Sequence, residues 1–272
     1  LAMAEAFVAD GVAVVAATPH ILPGVYANSG PDIRDRLGDL QGELDRRGIP
    51  LALVTGADVH IAPNLVGGLA SGHLLSLADS RYVLIEPPHH VAPMRLEDTF
   101  FELLLAGYVP ILTHPERLSW IKNQYPMLGR LAKAGVWMQI TSGSLRGAFG
   151  QGPKALAEQM LDDGLVHILA SDAHDVSRRR PDLSIGAQLA AKRVGDEAAQ
   201  DLVLTRPQAI LDNRPASSLP TPPARSLDDR FARGGSKPSR GTFGGDDVHS
   251  GTVGHSGGWR RWSQRLRQFV GR

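Results

Sequence analysis

Short apolar runs alternate along the chain with longer stretches of helical periodicity. The runs Val12–Ala17, Leu51–Val54, Tyr82–Ile85, Val109–Thr113, Val136–Thr141 and Val166–Ala170 are rich in Val, Ile and Leu and apolar at nearly every position. That is the pattern of strands buried on both faces. Between them, Pro31–Arg47, Leu96–Ala106, Leu118–Ala134 and Pro153–Asp163 carry the spacing of helices, with Pro31 and Pro153 as first-turn prolines. Gly48, Gly107, Gly135 and Gly164 stand where each helix must stop. Four repeats of helix, glycine and strand predict a parallel α/β architecture. A helical pair over Leu183–Val194 and Asp196–Leu204 follows, and Thr205-Arg206-Pro207 opens a last short turn.

The pattern breaks at Arg214. Residues 1–213 are therefore expected to form the folded body. Residues 214–258, with Pro215, Pro220, Pro222, Pro223 and several Gly/Ser stretches, lack apolar periodicity and read as a disordered linker. In residues 259–272, Trp259, Trp262, Leu266, Phe269 and Val270 share one helical face, and Arg260, Arg261, Arg265 and Arg267 fill much of the rest. This basic amphipathic segment suits an anionic membrane surface or a partner's groove; a weakly structured tail that binds nothing specific is an equal alternative.

Charge sharpens that division. The 272 residues sum to +1, but residues 214–272 hold eleven Lys and Arg against four Asp (+7), and residues 1–213 hold 18 basic against 24 acidic residues (−6). Zero cysteines exclude disulfides, thiolate nucleophiles and Cys-ligated metal. No apolar run reaches the roughly 18–20 residues of a membrane-spanning helix, and no signal peptide is recognisable. The chain opens on Leu1 directly in a helical pattern.

The chemistry collects at the strand ends. Val12–Ala17 leads into Thr18-Pro19-His20, Leu51–Val54 into Thr55-Gly56-Ala57-Asp58, and Tyr82–Ile85 into Glu86. Val109–Thr113 leads into His114-Pro115-Glu116-Arg117, and Val166–Ala170 into Ser171-Asp172-Ala173-His174. In a parallel barrel such ends converge on one face. Imidazoles and carboxylates gathered there without cysteine suit divalent Mn, Fe or Zn, and a cluster of this size suits more than one ion able to clamp phosphoryl oxygens. Each residue has a plainer reading. Asp58 could cap a helix over 59–69, Glu86 could pair with Arg81, His20 could be an exposed loop residue, and the Arg178-Arg179-Arg180 run could be a solvated turn rather than a phosphate clamp. His60, His73, His89, His90 and His167 read as core or solvated histidines. Gly-x-Ser-x-Gly, Gly-x-Gly-x-x-Gly and Walker loops are absent from the sequence.

Thr18-Pro19-His20, the strand Ser80–Glu86, His114-Pro115-Glu116-Arg117 and Ser171-Asp172-Ala173-His174, in this order, resemble the PHP (polymerase and histidinol phosphatase) superfamily. More closely, the chain is similar to the bacterial manganese-dependent protein-tyrosine phosphatases of capsule and exopolysaccharide operons, over residues 1–213. The resemblance implies a distorted (β/α)7 barrel with two to three ions in the complete protein, and a cytoplasmic enzyme. It implies hydrolysis of a phosphomonoester by hydroxide generated at the metal, the substrate being a phosphotyrosine protein such as a membrane tyrosine autokinase that regulates polysaccharide synthesis. His20, Asp58, Glu86, His114, Asp172 and His174 match metal-ligand positions, Asp58 standing where the family usually has glutamate. Arg117 matches a phosphate-contacting arginine and Arg179 a second one. The family's opening strand, with its Asp-x-His-x-His motif, has no counterpart in these 272 residues. The sequence as it stands is thus expected to lack the first barrel strand and to bind metal incompletely, having been cut from a longer chain or given a late start. Two alternatives are a histidinol-phosphatase-like or other small-molecule phosphoesterase and a degenerate, non-catalytic binding module. No nucleic-acid partner is expected. Peripheral membrane contact through 259–272 and an oligomer are both compatible with the sequence.

Overall fold

The computed structural model describes residues 1–224, which form one compact unit; the expected basic segment 259–272 and the linker beyond 224 lie outside the described residues. Among the described residues eight strands are present, all paired in parallel. β1 (Val14–Ala17) pairs with β3 (Ala52–Thr55), and a six-stranded sheet runs in the order β2 (His20–Ile21), β4 (Asp58–His60), β5 (Tyr82–Glu86), β6 (Val109–Thr113), β7 (Trp137–Thr141), β8 (Ile168–Ala170). The sequence pattern anticipates six of the eight. β2 and β4 are short polar extensions of β1 and β3, too brief and too hydrophilic to read as strands. The register continues across the break: Ala17 pairs with Thr55, then His20 with Asp58. Pro19 cannot donate to the ladder, but its carbonyl accepts the Asp58 N–H at 3.2 Å. Gly56 allows the two segments to approach, since a Cβ there would lie 3.0 Å from Thr18 Cγ2 and 2.9 Å from Leu77 Cδ2.

Every residue of β5, β6 and β7 is buried, as parallel strands covered on both faces require. Alternate positions Tyr82, Leu84, Val109, Ile111, Trp137 and Ile168 form one apolar cluster with Leu77 and Ile210. The helices are α1 (Ala2–Ala9), α2 (Gly30–Arg46), α3 (Leu65–Ala70), α4 (Leu96–Leu105), α5 (Tyr125–Ala134), α6 (Ser142–Leu145), α7 (Gln151–Asp162), α8 (Leu183–Val194), α9 (Asp196–Gln200) and α10 (Arg206–Leu211). Gly48, Gly107, Gly135 and Gly164 all adopt positive φ at the helix ends where they were expected to act as stops.

Four segments differ from expectation. Asp58 does not cap a helix over 59–69: it begins β4, and the helix that follows is only Leu65–Ala70. The segment Leu118–Ala134 is not one helix, because Pro126 sits in the first turn of α5 and the residues before it form a separate 3-10 turn, Ile121–Gln124. The helix expected through Leu204 becomes a π-helical turn over Asp201–Thr205 that runs into α10. Residues 214–224, read from the sequence as the start of a linker, lie against the body. The Tyr82 hydroxyl donates to the Arg214 carbonyl at 2.8 Å, and Arg206 Nη2 donates to the Pro220 carbonyl at 3.0 Å.

Candidate metal centre

Parallel strands end together, so β2, β4, β5, β6 and β8 deliver His20, Asp58 with His60, Glu86, His114 and Asp172 to one end of the sheet. Glu86 is the last residue of a fully buried strand and is itself 3% exposed. Its two oxygens serve separate pairs of imidazoles. Oε2 lies 2.9 Å from His20 Nδ1 and 2.8 Å from His60 Nε2; Oε1 lies 3.0 Å from His89 Nε2 and 3.4 Å from His114 Nε2. Two donor groups result, His20–His60–Glu86 and Glu86–His89–His114, sharing one carboxylate. Asp58 Oδ2 sits behind both, 3.8 Å from His20 Nδ1 and 3.9 Å from His114 Nε2.

The electrostatics of this cluster suit a divalent cation. Burial, reinforced by the Glu86 carboxylate, pushes the Asp58 carboxyl up to about 8. Burial opposes ionisation of Glu86 as well, but the surrounding imidazoles outweigh it and hold Glu86 well below the usual range. Burial, aided by the Arg117 charge, pushes His114 down to about 4, the neutral form a metal ligand needs. The hydrogen bond to Glu86 raises His20 against the opposing effect of burial. Asp58 Oδ1 and His114 Nδ1 are buried without a hydrogen-bond partner. Imidazole and carboxylate donors with orphaned polar atoms fit borderline or hard divalent cations.

Beside this cluster stands a second group. Asp172 Oδ2 accepts from Arg117 Nη1 at 2.7 Å and from Arg179 Nη2. Both guanidinium groups face the Phe149 ring, Arg117 Cζ at 4.4 Å and Arg179 Cζ at 5.9 Å from its centroid. His114 and Asp172 both have left-handed backbones, φ 33° and 49°, a conformation unfavourable for non-glycine residues and concentrated at functional sites. Glu116, next to Arg117, is buried and pushed up to about 7 by that burial; its Oε1 accepts from the Thr141 N–H at 2.9 Å and from Ser144 Oγ at 2.8 Å. It thereby fixes the turn Pro115–Arg117 to α6.

The structure thus brings His20, Asp58, Glu86 and His114 together, with Asp172, Arg117 and Arg179 alongside. His174 stands apart from both donor groups: its side chain is 43% exposed, with Nδ1 3.7 Å from Asp172 Oδ1. His60 and His89, read from sequence as bystanders, are in the cluster. His167, for which the sequence left core and solvated readings open, is a core histidine stacked on Trp137 at 5.4 Å.

The family model for capsular polysaccharide synthesis proteins, CpsB/CapC, matches residues 1–212. The chain belongs to the CpsB/CapC family. It is 34% identical to the tyrosine-protein phosphatase YwqE of Bacillus subtilis over 223 residues, 82% of this chain and 87% of that protein. It is 25% identical to the tyrosine-protein phosphatase CpsB of Streptococcus pneumoniae, over 74% of this chain and 85% of that one. A chain from the crystal structures of YwqE and CpsB, described as unique metal-dependent tyrosine phosphatases, superposes with a TM-score of 0.77 at 35% identity, over 83% of this chain and 90% of that chain. The likeness extends to the mixed α/β fold with parallel sheets.

Proposed function

We propose that this CpsB/CapC chain is a metal-dependent protein-tyrosine phosphatase acting on a tyrosine autokinase that regulates capsular or exopolysaccharide synthesis, at the inner face of the plasma membrane. The observation that carries the reading is the Glu86 carboxylate shared by four imidazoles, with the Arg117–Asp172–Arg179 group beside it. His20, His60, Glu86, His89 and His114 would hold the ions, manganese foremost, with Asp58 behind them and with Asp172 and His174 as further donors alongside. Divalent ions at such a cluster neutralise phosphoryl charge and activate water for attack on phosphorus. Arg117 and Arg179 orient the phosphate through their paired N–H donors, and Phe149 keeps the two guanidinium planes in place. Without cysteine, no thiolate nucleophile takes part. The parallel order β1β2–β3β4–β5–β6–β7–β8 supports a distorted (β/α)7 barrel for the phosphatase domain, followed by the linker 214–258, whose first residues 214–224 lie against the body, and the amphipathic segment 259–272. No helix among the described residues is long and apolar enough to cross a membrane, so contact with a membrane kinase would be peripheral.

The deciding experiment measures phosphate release from a phosphotyrosine peptide and from histidinol phosphate, with added Mn and after chelation. Mn-dependent turnover that favours the peptide supports the reading. Preference for histidinol phosphate assigns a small-molecule phosphoesterase, and Mn binding without turnover of either substrate assigns a binding module.

A further inference from the structure

Behind Asp172 the surface opens into a cleft of about 130 Å³, lined on one side by Arg146 and Phe149 at the end of α6 and on the other by Arg178, Arg179, Arg180 and Asp182. Its volume matches about four waters, enough for one or two side chains. Charge in the cleft runs against the acidic body. Its two carboxylates are already engaged: Asp172 by Arg117 and Arg179, and Asp182 by Arg146 at 2.6 Å and by Ser142 Oγ. Arg178 and Arg180 are exposed, and neither guanidinium bonds a carboxylate among the described residues. Two positive charges are left over.

The loop presenting them is built rather than loose. The Asp175 carboxylate accepts from the backbone N–H groups of Ser177 and Arg178, each at 2.6 Å, and from Ser177 Oγ at 2.8 Å. These bonds pull Asp175 down to about 2. The His174 N–H closes the loop onto the Arg179 carbonyl at 2.8 Å. Asp175 is thus spent on backbone, and Arg178 and Arg180 flank Arg179, which with Arg117 reaches the Asp172 carboxylate.

We infer that this cleft is a substrate subsite in which Arg178 and Arg180 bind acidic side chains adjoining the phosphotyrosine, so that the enzyme selects phosphotyrosines set in acidic sequence. The inference rests on the proposed phosphatase reading and names the substrate class for the same site. It also explains how the acidic body (residues 1–213, net −6) attracts an acidic segment: its long-range repulsion is offset locally by the free guanidinium groups of the cleft.

The test compares the full chain with the double variant Arg178→Ala/Arg180→Ala on three substrates: phosphotyrosine flanked by Asp and Glu, phosphotyrosine flanked by Ser and Gly, and p-nitrophenyl phosphate, which has no flanks. Both proteins carry the same basic tail, so its contribution cancels. The wild type should prefer the acidic peptide in kcat/KM by about five- to tenfold, the size expected of two solvent-exposed charge pairs. The preference should fall with added salt and drop by that factor in the double variant, with p-nitrophenyl phosphate turnover unchanged. Arg178→Glu/Arg180→Glu should shift preference towards the neutral peptide. In parallel, fluorescence anisotropy with the same peptides carrying a non-hydrolysable phosphotyrosine analogue reads binding without turnover. A binding preference for the acidic peptide without any hydrolysis sinks the phosphatase reading and keeps the subsite. An acidic preference undiminished in the double variant overturns the subsite, as does equal loss of p-nitrophenyl phosphate turnover, which would put these arginines in the phosphate seat.

Discussion

His167 offers the cleanest test of how burial sets behaviour in this fold. Its ring lies flat on Trp137, with an interplanar angle of 15°, and its Nδ1 accepts the Met138 N–H at 3.2 Å. Burial, with the Arg206 charge adding to it, pushes the imidazole down to about 3, from an ordinary value near 6.5. The folded-state pKa is below the unfolded one, so the unfolded chain binds more protons. Stability is therefore intact above about pH 6.5 and is lost as pH falls from there towards 3. At about pH 5 the loss is about 1.5 pH units of linkage, or about 2 kcal/mol, and towards pH 3 it approaches about 5 kcal/mol. The substitution His167→Asn keeps an acceptor near the Met138 N–H but cannot be protonated. It forfeits the ring stacking, which costs about 0.5–1.5 kcal/mol at neutral pH. Urea unfolding followed by circular dichroism at about pH 7.5 and about pH 5, with chelator present so that ion release plays no part, separates the two effects. At about pH 7.5 the variant should be the weaker protein; at about pH 5 it should equal or exceed the wild type. A destabilisation of the same size at both pH values would refute the assignment of a buried, neutral imidazole.

Other outcomes follow from the site and its supports. Glu86→Gln removes the charge shared by four imidazoles, so calorimetric Mn affinity should drop at least tenfold; wild-type affinity would remove Glu86 from the ligand set. His60→Ala and His89→Ala should each weaken Mn binding by about tenfold or more, whereas His73→Ala, whose residue contributes only its carbonyl to the Gly30 N–H, should leave it unchanged. Phe149→Ala should raise KM for a phosphotyrosine peptide several-fold with a smaller effect on kcat, and Phe149→Trp should restore it; an unchanged KM would mean that the ring does not steady the arginines. Gly186 packs so closely on the α6 segment that a Cβ would lie 2.4 Å from Ser142 Cβ. Gly186→Ala should therefore lower stability by about 1–3 kcal/mol in thermal unfolding.

The parallel α/β pattern was legible because each long strand is buried on both faces and therefore apolar throughout. β2 and β4 were not, since a two- or three-residue strand bearing His20, Asp58 and His60 looks like a loop. That gap hid His60: once Asp58-Val59-His60 is extended, its first and third residues share one face, but a helix was expected over 59–69. His89 had no comparable signal. It follows Glu86-Pro87-Pro88, and only the path of the turn after two prolines returns its ring to 3.0 Å from Glu86. Asp172 was readable as a strand-end carboxylate, whereas its partnership with Arg117, 55 positions away, depends on the whole sheet. Phe149 was silent, because a lone aromatic after Gly147-Ala148 carries no periodicity.

The orphaned Asp58 Oδ1 and His114 Nδ1 bear on how long the protein survives in a cell. Unmet polar atoms beneath the cluster subtract from folding stability, and an ion held only by the native chain would offset that cost by about 2.7 kcal/mol when present at 100 times its dissociation constant. Degradation of transiently opened chains tracks that free energy. Metal supply would then govern not only turnover but abundance: a cell short of the ion would lose the protein to proteolysis faster than it lost the message encoding it.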